Sequence, residues 1–265
     1  MIRLIRSEWL KLRTTSVPWI LLGLSCLFTG LGILLSFLSA GSPGGRRAHG
    51  GAAWFTPHTV DQLRNLVGSG LGFGDLFIML LGVLCITTEF RHKTVTSTFL
   101  VTPRRGRMVA SKLIIAAILG VMLAVILLIL TVAAGSIVLS ARHGSPSALI
   151  HQLPAVAPGM IGVFVLYAIL GVGVGSWLTN QVAALIATLG WFLIGETLIG
   201  ALLNAIHDGL SRWLPGASAE ALANHTGRNL SSVLLPWWGG GLMMLAYGLV
   251  FAAIGSFVMT RRDIT

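Results

Sequence analysis

LIIAAILGVMLAVILLILTVAAGSIVL, residues 113–139, runs for 27 residues without a single charge. At 1.5 Å rise per residue, about 20 apolar residues cross the ~30 Å hydrocarbon core of a bilayer. The stretch therefore predicts a membrane-spanning helix. Five more segments read the same way: 17–38, 66–87, 156–178, 182–203 and 237–259, each 22 or 23 residues long. Among all the acidic and basic residues, only Asp75 and Glu196 fall inside the six segments. A lipid-facing charge is costly and backbone groups must pair within each helix, so this segregation is what a bilayer imposes. The fold class is an all-α membrane protein with six transmembrane helices.

Composition agrees. Of 265 residues, 55% are hydrophobic and 10% charged, with a mean hydropathy of +0.87. Soluble domains carry about 25% charged residues, so a soluble globule is excluded, and disorder is excluded by the apolar content. The 33 glycines show no G-X-Y period, and two cysteines cannot build a disulfide scaffold or a multi-Cys metal site. The formal net charge of +10 acquires meaning from its distribution. With the N-terminus in the cytoplasm, twelve Lys and Arg lie in inside segments and six in outside segments. The positive-inside rule favours this N-in, C-in arrangement. Because the cations flank spans rather than forming one face, a nucleic-acid partner is not expected.

Residues 2–13, IRLIRSEWLKLR, precede the first span. At ~100° per residue, Ile2, Ile5, Trp9 and Leu12 share a narrow arc, with the cations elsewhere. This predicts an interfacial amphipathic helix over 1–16, Trp at headgroup depth and cations towards anionic lipid. Residues 17–265 then form the six-helix domain. The first apolar run is 22 residues long, against 7–15 for the core of a signal peptide, so it is expected to be retained as a span. Spans four and five are joined by Thr179-Asn180-Gln181 alone and are expected to be tight antiparallel neighbours. In the outside segment 204–235, Leu210, Trp213 and Leu214 fall at helical spacing before Pro215-Gly216, and 217–223 resumes the pattern; this reads as a short element resting on the outer leaflet.

The elaborate cytoplasmic segment is 88–112, TEFRHKTVTSTFLVTPRRGRMVASK. Glu89 and Lys93 stand at i,i+4 in the favourable order for a helix. Thr94-Val95-Thr96-Ser97-Thr98 is a run of poor helix formers, and Pro103 ends any helix. Alone the segment reads as a basic loop, helical only where something packs against it.

At these residues the chain resembles the ABC-2 type permeases, membrane subunits of ATP-driven exporters, particularly those of actinobacteria. Four stretches carry the resemblance: the lead Ser7-Glu8-Trp9-Leu10-Lys11-Leu12-Arg13-Thr14-Thr15; the run Glu89-Phe90-Arg91-His92-Lys93-Thr94 with Thr98-Phe99-Leu100 and Thr102-Pro103-Arg104-Arg105; Glu196 with Arg212-Trp213-Leu214-Pro215; and the ending Arg261-Arg262-Asp263-Ile264-Thr265. The resemblance implies a bacterial inner-membrane export permease that pairs with a second permease subunit and two cytoplasmic ATPases. It also implies that Glu89, Phe90, Arg91, Thr94, Thr98, Pro103, Arg104 and Arg105 belong to a coupling helix docked on the ATPase. ATP and Mg would be held by those ATPases, and no cofactor is expected in this chain.

The residues themselves add limits. A phosphate-cradling loop needs Gly-x-x-x-x-Gly-Lys-Ser/Thr, and Lys11, Lys93 and Lys112 follow Leu10, His92 and Ser111, so no ATP hydrolysis is expected here. Glu196 reads either as a contact in the translocation path or as a hydrogen bond locking helices. Asp75, in Gly72-Phe73-Gly74-Asp75, is the second translocation-path candidate, and it matches the Gly-x-Gly-Asp of intramembrane aspartyl proteases, which need a second carboxyl sharing a proton. An intramembrane hydrolase and a passive channel or scaffold are the alternative functions. The scattered histidines predict no metal site. Gly68, Gly70, Gly72 and Gly74, and Gly171, Gly173 and Gly175, predict close helix packing, and Cys26 and Cys85 small buried positions.

Overall fold

The apolar runs fold as helices in the computed structural model, which describes residues 2–39, 72–91, 105–141, 146–178, 180–223 and 234–261. In chain order these are α1 (Ile2–Thr14), α2 (Ser16–Ser39), α3 (Gly72–Arg91), α4 (Arg105–Ala141), α5 (Pro146–Trp177) and α6 (Gln181–Gly190). A π-helical turn (Trp191–Gly195) leads into α7 (Glu196–Ile206), and a 3-10 turn (Leu210–Trp213) precedes α8 (Pro215–Ala223) and α9 (Trp237–Arg261). Among the described residues five helical stretches are long and apolar enough to cross a membrane: those in α3, α4, α5, α6 to α7, and α9. The sixth is reached when α1 and α2, which meet at a 70° bend, are counted together. The bend falls where the Thr15 hydroxyl and amide both bond to the Lys11 carbonyl, at 2.6 and 3.1 Å, closing the last turn of α1.

Several helices outrun their apolar segments. α3 continues through Arg91, α4 begins at Arg105 and α5 at Pro146. Hydropathy marks where lipid begins, whereas helical hydrogen bonding continues into the polar overhang. Residues 66–71, the start of the second apolar run, lie outside the described residues.

α5 is the hub of the bundle, packing against α3, α4 and α9. Missing side chains allow it. A Cβ on Gly171 would run into the Met79 carbonyl of α3, and one on Gly175 would lie 2.7 Å from the Val83 carbonyl oxygen. Gly82 of α3 meets the Ala168 backbone, and Gly120 of α4 comes up against the Phe164 carbonyl, 2.8 Å from where a Cβ would stand. Gly173 faces Phe251 of α9, and Gly74 is wedged between Leu127 and Phe164. The close packing expected of Gly74, Gly171, Gly173 and Gly175 is therefore present, while Gly68, Gly70 and the surroundings of Gly72 lie outside the described residues. Gly82 and Gly120 join them, isolated glycines that form no stripe in the sequence. Around these contacts Ile78, Leu127, Met160, Val163, Phe164 and Met244 form a fully buried core.

Cys85 is buried as expected, whereas Cys26 is only half-buried, and two further expectations need correction. The short link between them does not make α6 a tight neighbour of α5: α6 packs more extensively on α3, because Leu185 and Leu189, with Phe192 of the π-helical turn, find the apolar face of Leu76, Phe77 and Leu80. Asn180 starts α6 by accepting hydrogen bonds from the Val182 and Ala183 amides at 3.0 and 3.2 Å. Nor does 217–223 rest on a leaflet. α8 packs against α5 and α9 with Pro215, Ser218, Ala219, Ala221 and Ala223 buried, because Gly159 and Gly240 let its backbone approach closely.

The two kinds of glycine make a direct contrast. Gly171→Ala is expected to destabilise the folded chain by about 1–3 kcal/mol, the usual cost of overpacking. Gly23→Ala, on α2 with nothing within 4 Å of the added methyl, is expected to be neutral or slightly stabilising. Thermal unfolding of both variants in one detergent checks this, and equal shifts would contradict the packing account.

Candidate functional site

Four charged side chains from three helices meet at the end of the bundle where α1 lies. Lys112 Nζ, on α4, stands 2.9 Å from Glu8 Oε2 of α1 and 3.0 Å from Glu89 Oε1 of α3. Lys11 Nζ reaches Glu8 Oε1 and Glu89 Oε1, both at 2.8 Å. Lys112 also donates to the Cys85 carbonyl at 2.8 Å. Among the described residues each glutamate therefore faces both lysines.

Burial makes this network consequential. Lys112 is 1% exposed and Glu89 5%. An ion taken out of water loses several kcal/mol of solvation, and removing one partner of a buried pair costs about 3–5 kcal/mol. Burial pushes the Glu8 carboxyl up, but the Lys112 charge and hydrogen bonds from Lys11 and Lys112 outweigh it and hold Glu8 below the ordinary carboxylate range. Burial likewise pushes Lys11 down, and hydrogen bonds to Glu8 and Glu89 raise it overall. Glu8 then contributes stability that is complete above the unfolded carboxylate range and is lost as pH falls through its lowered value. The Lys11 contribution is complete below the ordinary lysine value and is lost as pH rises through the raised one.

Of the residues expected to couple to an ATPase, Glu89 is buried in this network, Phe90 packs against the core, and Arg91 is exposed at the end of α3. Arg105 begins α4. Thr94, Thr98, Pro103 and Arg104 lie outside the described residues, as does Lys93. Of the interfacial set, Trp9 is exposed and Leu12 half-buried; the side chains of Ile2 and Ile5 lie outside the described residues. Sequence reasoning used Glu8, Lys11 and Lys112 only to orient the chain or mark a resemblance. A signal was present: among fifteen Arg, the chain has three Lys, and two of them belong to this cluster.

At the other end of the bundle, the Glu196 amide donates to the Trp191 carbonyl across the π-helical turn. The Glu196 carboxylate accepts the backbone N–H groups of Gly216 and Ala217. These are first-turn groups of α8, otherwise unpaired and at the positive end of the helix dipole. Tyr247 of α9 fixes the preceding turn by donating to the Trp213 carbonyl at 2.9 Å. Asp75, in the first turn of α3, is 8% exposed, and its Oδ1 has no hydrogen-bond partner among the described residues. No carboxyl–carboxyl hydrogen bond joins Asp75 and Glu196 among the described residues. The helix-locking contact anticipated for Glu196 is thus present, whereas the proton-sharing pair that hydrolase chemistry requires is not formed among the described residues.

A search of curated proteins finds no match. The family model described as ABC-2 family transporter protein matches residues 4–203, a range that takes in α1 to α6, the π-helical turn and most of α7, and so contains the whole charge cluster. The chain is a multi-pass membrane protein that belongs to the ABC-2 transporter family, whose members are the permease components of ABC transporters.

Proposed function

We propose that this permease is an exporter subunit of the bacterial inner membrane, with α1 and the charge cluster on the cytoplasmic side. A separate pair of ATPases supplies the energy by binding ATP and Mg, and a second permease subunit completes the pathway. The observation that carries this reading is the position of the cluster. Glu89 stands two residues before the end of α3, and Lys112 seven residues into α4. The intervening segment, which holds Thr94, Thr98, Pro103 and Arg104, is therefore bracketed by two members of one ion network that also grips α1. A push on that segment by a closing ATPase passes to α1, α3 and α4 together, because separating any one of them leaves a buried charge unpaired.

The coupling test is co-expression with an ATPase encoded beside this gene. The ATPase is expected to copurify, and Arg104→Glu with Arg105→Glu is expected to reduce its retention by about tenfold or more, as loss of about 1.4 kcal/mol or more implies. Retention that survives deletion of 92–104 would overturn the docking role. Absence of any bound ATPase would overturn the function.

Asp75 and Glu196 remain the residues assigned to the translocation path, since they are the acids within the spans. Glu196→Gln keeps a carbonyl acceptor for the α8 amides but loses the charge. The expected result is impaired export with normal assembly, read by substrate efflux and by size-exclusion of the complex. Unchanged export would confine Glu196 to its structural contact.

A further inference from the structure

A cleft of about 320 Å³ opens where α1 meets the spans. Its lining runs from the exposed Trp9 and Arg13 of α1 and Trp19 of α2, at the mouth, to the buried Ile78 and Leu123. Lys112 marks the level of the ion network, and the α4 residues that line the cleft begin at Leu119 and end at Leu123. The cleft floor therefore sits roughly 10–16 Å further along the helix axis. That depth runs from the interface well into the hydrocarbon region. Trp9 and Trp19 are 37% and 58% exposed, so the mouth is flanked by the side chains that favour the headgroup level.

Charge distinguishes the mouth from the rest of α1. Glu8 and Lys11 point to the ion network. Arg6 and Arg13, seven residues apart, lie on one side of the helix. Both are exposed, and neither forms an ion pair among the described residues. An exposed guanidinium in the lining of an apolar cleft, with a second on the same side of α1 about two turns away, matches a ligand with an anionic head and an aliphatic tail, and guanidinium groups bind phosphate in a fork.

We propose that this cleft binds an anionic glycerophospholipid, its phosphate on Arg13 and one acyl chain between α2, α3 and α4. The lipid would fill the angle of the α1–α2 bend and wedge α1 against the bundle. The leaflet it comes from follows from the orientation proposed above; the binding itself does not depend on export or on an ATPase.

The full chain, purified in detergent, is incubated with an equimolar mixture of phosphatidylglycerol and phosphatidylcholine, and retained lipid is measured by mass spectrometry. Phosphatidylglycerol is expected to be preferred by about fivefold or more, the factor given by ~1 kcal/mol per basic residue. Arg13→Gln should bring the ratio towards one, and Arg13→Lys should keep most of it. Leu22→Phe with Leu123→Phe should reduce retention of both lipids, with unfolding temperature as the control for folding. A second arm uses phosphatidylglycerol brominated in its acyl chain, which should quench Trp fluorescence less in Trp9→Phe and Trp19→Phe. Equal retention of the two lipids, or a ratio unchanged by Arg13→Gln, would overturn the proposal. So would competition by inorganic phosphate alone, or filling variants that alter oligomeric state but not lipid content. Loss of ATPase binding with the lipid ratio intact would count against the coupling model only.

Discussion

Two glutamates and two lysines that must stay together constrain the end of the bundle where the chain starts. Lys112 has 1% of its surface exposed, and an ammonium group there is tolerable only while Glu8, Glu89 and the Cys85 carbonyl surround it. Glu8 belongs to a helix outside the bundle, Glu89 to the end of the second span and Lys112 to the start of the third. The network therefore fixes the 70° bend between α1 and α2 and the relative height of α3 and α4. It also converts a surface helix into part of the transmembrane domain.

Packing supplies the second constraint. Apolar side chains gain little from each other inside lipid, so helices associate through close van der Waals contact and small residues. Here that logic centres on α5, whose Gly171, Gly173 and Gly175 take α3 on one side and α9 on the other. The outer short helix α8 is held the same way, by Gly159 and Gly240, and its first turn is satisfied by Glu196 from α7. The ends of the bundle are thus built differently: an ion network at one, and a carboxylate capping a buried helix at the other.

Five of the expected spans and their order were legible because a bilayer writes directly into hydropathy. Glycine packing at 171–175 was legible for a similar reason, since small residues at close spacing have few other uses in lipid. Gly82 and Gly120 were not, because each is one glycine whose partner is a carbonyl far away in sequence. The same distance hid the ion network: Glu8 and Lys112 are 104 residues apart, and positive-inside reasoning treats every cation near a span as solvated. Only Glu8 and Lys11, at i,i+3, form a pair readable locally. The placement of α6 against α3 escaped for a third reason. A three-residue link fixes proximity at one end, while the apolar face of Phe77 and its neighbours decides the rest.

The network ties α1, α3 and α4 together at one end of the bundle. The most direct test of its role is a double-mutant cycle on Glu8 and Lys112, read by thermal unfolding of Lys112→Met, Glu8→Gln and the pair. Lys112→Met alone is expected to cost about 3–5 kcal/mol, because it leaves buried carboxylates unpaired. Removing Glu8 as well should recover part of that loss, giving a coupling of about 0.5–3 kcal/mol. Strict additivity within about 0.5 kcal/mol would contradict the account, since it would mean that α1 and α4 do not depend on one another through these charges.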